Sequence, residues 1–161
     1  MKKVIVILLT AVFLSGYSSF TPAQIDYATK VKVSMNLLKQ ELAVFGTPKL
    51  EGGILSFGTT EINGNFDIVD EVVDKEGGTA TVFIKKDDGS FERIATTIIN
   101  EGRRAVGTKL AVASPAMAPI KAGNAYYGQA DILSRKYETG YEPIKDASGQ
   151  VIGIYYVGYR L

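Results

Sequence analysis

The sequence predicts an α+β fold, one long helix laid over an antiparallel sheet, on three observations. Residues 24–45 carry apolar side chains at helical spacing, the chain beyond residue 66 switches to period-two alternation, and turn residues separate the alternating runs at hairpin intervals. Each element follows in order.

Met1-Lys2-Lys3 and the apolar run Val4 to Leu14 have the architecture of a signal peptide, since a bilayer span needs roughly 20 apolar residues. Continuing through Gly16, Tyr17 and Phe20 reaches a marginal span, so residues 1–23 read as a cleaved leader or an uncleaved anchor. Leu14 to Ser19 resembles a lipobox, but Tyr17 stands where the lipid-bearing thiol belongs, which excludes a lipoprotein. Cleavage after Ala23 competes with a helix start in which Thr21 caps, Pro22 takes the first helical position and Gln24 completes a capping box. The expected location is periplasmic or secreted, or tethered to the inner membrane.

In the helix 24–45, Ala28, Val31, Met35, Leu38, Leu42 and Phe45 form one stripe, and Gly46-Thr47-Pro48 ends it. The stripe suits a helix packed on its own sheet, or a seam shared with a second subunit in a homodimer. A Gly-rich connection follows. Phe66 to Val73 reads as a strand, with the carboxylates on and beside it (Asp67, Asp70, Glu71, Asp74) along a solvated edge. Thr79 to Lys85 reads as the next strand. Asp88-Gly89 is a hairpin signal, because both residues tolerate positive φ. In the strand Phe91 to Ile98, alternation puts Phe91, Arg93, Ala95 and Thr97 on one face. Asn100 to Gly107 is a polar loop carrying Arg103-Arg104, and Ser114 to Lys121 a short helix or turn. Ala125 to Arg135, Lys136 to Lys145 and Val151 to Arg160 are strands, the last two joined by the turn Asp146 to Gly149. One domain spans residues 24–161, with five or six strands.

Composition excludes several chemistries. The 161 residues include no His, Cys or Trp, so no His-based triad, thiol chemistry, disulfide or His/Cys zinc site is available. Eighteen basic against 17 acidic residues lack the basic footprint of a nucleic-acid binder. No glycine pattern forms a P-loop or a dinucleotide fingerprint, and no carboxylate pair stands out as catalytic. Neither an enzyme nor a cofactor is indicated.

The order of motifs is more specific. Asn63 to Phe66 leads to Val69-Asp70, then Thr79 to Phe83, Phe91 to Thr97, Gly102 to Thr108, Tyr126-Tyr127-Gly128, Tyr137 to Ile144 and Asp146 to Gly158. Together these resemble the single-Cache sensor domains of bacterial chemoreceptors and sensor kinases. The resemblance implies a PAS-like sheet with a long N-terminal helix and a ligand pocket against the sheet's distal half. A receptor of this kind would enter a second membrane helix after Leu161: if the chain is complete, the bound state is read by a partner such as a membrane receptor or kinase, and if it is a fragment, the reader lies in the missing part. The arginine–histidine set of citrate sensors has no counterpart here.

Ligand-capable side chains concentrate after Ser90. Arg93 is a guanidinium on an apolar strand face, where it must find an anion or lie along the surface. Arg103 and Arg104 could clamp a carboxylate, or form a solvated loop pair. Seven of nine tyrosines lie between Tyr126 and Tyr159. Tyr126, Thr139, Tyr141 and Lys145 add phenol, hydroxyl and ammonium groups to the neighbouring strands, while Tyr155, Tyr156 and Tyr159 read as packing. The expected ligand is a small organic anion such as a carboxylate. The alternative is a non-catalytic interaction protein that uses the fold without a ligand.

Overall fold

The computed structural model describes residues 26–161. The leader, its cleavage site and the helix start at Thr21 to Gln24 lie outside them. Helix α1 (Tyr27–Ala43) is capped by Asp26, whose carboxylate accepts from the Ala28 N–H at 3.1 Å. Val31, Met35, Leu38 and Leu42 are buried against the chain's own sheet, so the apolar stripe is already covered. Ala28 and Phe45, the ends of the expected stripe, are exposed.

The Gly-rich connection is a three-stranded meander of β1 (Pro48–Glu51), β2 (Ile54–Phe57) and β3 (Thr60–Glu61). Its strands are only two to four residues long, too short to leave an alternation signal in the sequence. The expected strand Phe66–Val73 is a helix, α2 (Asp67–Glu76). Ile68, Val69 and Val72 are buried on one side of it, a spacing that fits a helix as well as alternation does. Its ends carry helix signals: Asn65 Oδ1 accepts from the Asp67 N–H at 3.2 Å, and Gly77 closes it at φ 76°.

The main sheet is β4 (Thr79–Lys85), β5 (Phe91–Thr96), β8 (Tyr126–Ile132), β9 (Arg135–Lys145) and β10 (Val151–Arg160), fully antiparallel in the order β5-β4-β10-β9-β8. The chain's last strand sits in the centre. Between β5 and β8 come the small hairpin β6 (Ile99–Asn100) and β7 (Arg103–Arg104), where a loop was expected, and the helix α3 (Met117–Lys121). Residues 107–110 extend the β5 edge: the Gly107, Arg93 and Leu110 N–H groups donate to Arg93, Thr108 and Phe91 carbonyls, each at 2.9 Å. This ladder takes the place of a sixth strand. At the β4–β5 turn only Gly89 has positive φ, so Asp88 does not share that conformation; its side chain accepts from the Ser90 N–H instead.

Register decides the faces. Val82 pairs with Ala95 but Phe83 with Arg93, which leaves Ile94 as an extra residue in β5. The bulge turns Arg93 to the same side as Phe91 and Thr96, and puts Ala95 on the opposite side, contrary to simple alternation. Two cores result. Under α1 and α2 lie Ala80, Val82, Ala95, Tyr155 and Val157, among others. Beneath the 98–125 excursion lie Phe83, Phe91, Ile154, Tyr141 and Tyr156 with Leu110, Met117 and Ile120.

Candidate ligand-binding face

The second core contains the polar groups. Thr96 pairs with Thr81, Thr81 with Tyr156, Tyr156 with Tyr141 and Tyr141 with Tyr126, so one row of five side chains crosses the whole sheet. Thr81 and Thr96 hydroxyls meet at 2.6 Å. Tyr141 and Tyr156 ring centroids lie 4.9 Å apart, Tyr126 and Tyr141 6.3 Å. Phe83 meets Tyr156 edge-on, and the Arg93 guanidinium stands 4.9 Å from the Phe83 ring centre.

Arg93 is 5% exposed and Tyr141 fully buried. Arg93 Nη1 donates to Thr108 Oγ1 at 2.8 Å and to the Lys109 carbonyl at 3.4 Å, which ties the guanidinium to the covering segment. Its Nε and the Tyr141 hydroxyl are buried without a hydrogen bond of ordinary geometry, although the Ser114 hydroxyl of the covering segment lies near enough to the phenol to oppose the rise in its pKa. Unmet buried polar atoms cost roughly 1–3 kcal/mol each. Burial lowers the Arg93 pKa, an effect opposed by the phenols of Tyr141 and Tyr156. Burial pushes the Tyr141 and Tyr156 phenols well above the ordinary tyrosine range. This face can therefore present a desolvated cation and neutral hydroxyl donors to a small anionic group.

The expected residues separate into two sets. Arg93, Tyr126, Thr139 and Tyr141 share the face. Thr139 is buried and donates to the Gly128 carbonyl at 2.6 Å; Tyr126 donates to the Gln129 carbonyl at 2.8 Å. Lys145 stands exposed at the far end of the same face of β9, beside Gly123 after α3. Arg103 is exposed on the β6–β7 hairpin. Arg104 points to the other layer, where it forms a bidentate pair with Asp70, both contacts 2.8 Å, donates to the Thr96 carbonyl at 2.9 Å and stacks 4.4 Å from the Phe66 ring centre. Asp70 is thereby a partner of Arg104 and not part of a free acidic edge. Tyr156, Thr81 and Thr96 belong to the face and were not among the expected residues; the pairing of β10 between β4 and β9, which places Tyr156 there, has no local signal.

Arg104→Lys is expected to lower stability by about 1 kcal/mol, since an ammonium cannot form the bidentate pair and the partly exposed site limits the loss. A double-mutant cycle with Asp70→Asn measured by urea unfolding checks it; coupling near zero would show the pair contributes nothing.

Among the described residues, no group of three His, Cys, Asp or Glu side chains is placed to hold a metal, and no helix is long and apolar enough to cross a membrane.

The family model described as "Cache 3/Cache 2 fusion domain" matches residues 23–161. No curated protein matches the chain. Among solved structures, the periplasmic domain of RsbU from Chlamydia trachomatis is similar at 13% identity and a TM-score of 0.44. That match covers 84% of this chain, which spans about half (51%) of the length of the other.

Proposed function

The chain belongs to the Cache 3/Cache 2 fusion domain family, a sensory module, and we propose that it is an extracytoplasmic sensor that binds a small organic anion, such as a carboxylate, without chemistry. The observation that carries the anion reading is the buried Arg93 Nε beside aromatic walls, with the Tyr141 hydroxyl unmatched on the same face. A carboxylate accepting from both would satisfy two buried donors at once. Tyr126, Thr139 and Tyr156 complete the lining. Arg103, exposed on the β6–β7 hairpin, belongs to this ligand set only if the covering segment carries it inward, and Lys145, exposed at the end of β9, only if its side chain reaches back over the face. Arg104, committed to Asp70, is left out.

Entry requires residues 105–120 to lift, because Arg93 and Tyr141 lie beneath them. Thr108, bonded to Arg93, is where binding would change the hold of that segment. The change would reach a membrane receptor or kinase through α1, which packs on the opposite face of the same strands. A second copy pairing along α1 would use its outer side, near the 46% exposed Val33.

The test is thermal shift and calorimetry with acetate, pyruvate and succinate. At least one is expected to stabilise the protein, and Arg93→Lys and Tyr141→Phe should each weaken that ligand tenfold or more. Equal affinity in both variants would remove this face as the site. Silence across the whole panel would favour the ligand-free interaction protein.

A further inference from the structure

At the opposite end of the same sheet face from Lys145, a groove of about 300 Å³ opens among Thr79, Ile98, Ile132, Leu133, Arg135 and Arg160. Arg135 and Tyr137 share a side of β9, and Arg160 is the cross-strand neighbour of Tyr137, so the register brings the two guanidinium groups to one groove. Among the described residues, neither arginine is in an ion pair; the six pairs that form use other side chains. Residues 1–25 contain no Asp or Glu that could supply a partner. The groove's lining likewise has no carboxylate. Two exposed arginines without counter-charge therefore present a field that an anion would complement.

The rest of the lining is aliphatic. Ile98 and Ile132 are buried and form the wall, whereas Ile99 and Leu133 are 58% and 42% exposed at the rim. Leu133 and Ser134 make the β8–β9 turn with φ of 47° and 65°. That left-handed geometry normally takes Asn or Gly, and a leucine there costs about 1–2 kcal/mol. The chain accepts this cost and holds an exposed apolar side chain beside the two arginines. Backbone strain retained next to an unmatched charge and an apolar rim is the combination that suggests a binding site.

We infer that this groove binds a single-chain amphiphilic anion, with its charged head between Arg135 and Arg160 and its alkyl chain along Ile98, Ile132 and Leu133. Its small volume, at the low end for ligand sites, suits one short chain. The site is distinct from the Arg93 face: Thr79, which lines the groove, meets the buried Tyr156, which lines the other site, with their hydroxyls 3.3 Å apart. The inference would stand if the carboxylate reading failed.

Octyl phosphate is the probe, titrated calorimetrically into the full chain below its micellar concentration. Binding is expected, with inorganic phosphate and 1-octanol each at least tenfold weaker, since each lacks half of the recognised chemistry. Arg135→Gln/Arg160→Gln should weaken octyl phosphate at least tenfold with the melting temperature unchanged, because both side chains are exposed. Arg93→Lys should leave its affinity as it was. Undiminished binding by the double variant overturns the proposal, as does octanol binding as well as octyl phosphate. Association with anionic phospholipid vesicles but not with the monomeric probe would also overturn it, in favour of a membrane contact.

Discussion

Gly153→Ala is expected to destabilise the protein by about 3 kcal/mol, whereas Gly149→Ala, four residues earlier, costs about 1 kcal/mol. The two glycines serve different ends. Gly149 sits in the β9–β10 turn at φ 83°, with open space where a Cβ would go, so its substitution meets only the left-handed conformational penalty. Gly153 lies inside β10, just past the register shift between Val151 and Gly153, and carries no unusual φ. A Cβ built there runs into the Phe83 carbonyl oxygen of β4 and sits 3.3 Å from Ile144 Cδ1. Backbone cannot move aside as a side chain can, so β4 and β10 must separate at the centre of the sheet. That places the loss at the top of the range for overpacking. Phe83 is also the ring on which Arg93 stacks, so the displacement would disturb the candidate site directly. Urea unfolding distinguishes the two variants through their midpoints at constant slope. Equal losses would mean that the close approach at Gly153 is not a feature of the folded protein.

Strands bounded by clear turn signals were legible in the sequence: β4 and β10 begin and end where expected. Phe66–Val73 was not, because apolar pairs at 68–69 and 72–73 satisfy both periods, and the deciding groups, Asn65 and Gly77, lie outside the run. That one change altered the site. With α2 a helix, Asp70 meets Arg104 across 34 positions of sequence, and an arginine that looked free to bind a ligand becomes an interlayer clamp. Arg93 was legible for a physical reason: a guanidinium in a mostly apolar strand must be matched by something. Its neighbours were not, since the bulge at Ile94 decides whether Ala95 or Thr96 shares its face. Tyr156 was hidden for a related reason. Buried tyrosines in one strand look alike until the sheet order says which of them faces Tyr141.

Raising the pH from 10 to 12 is expected to unfold the protein in a single cooperative step. Tyr155, pushed up to about 12 by burial and by the nearby Glu142, and Tyr141 and Tyr156, pushed higher still chiefly by burial, are all held neutral in the fold. In the unfolded chain a phenol ionises near 10. Below pH 10 both states keep their protons and the fold has its full stability. Above it, the unfolded chain releases protons that the native state retains, so stability falls as pH rises, by about 1.4 kcal/mol per pH unit for each such phenol. Three of them remove about 4 kcal/mol per unit, against a total of roughly 5–15 kcal/mol for a domain. The share of the 295 nm absorbance change that comes from the buried phenols should therefore appear together with the loss of far-ultraviolet circular dichroism, beyond any signal from exposed tyrosines. Tyr155→Phe, which removes one titrating group and no hydrogen bond made among the described residues, should move the transition to higher pH. Ionisation of every tyrosine near pH 10 with the dichroism unchanged would mean that water already reaches Tyr141 and Tyr156. The segment over the candidate site would then be open without a ligand, and the closed layer that makes Arg93 a buried, unmatched cation would not exist in solution.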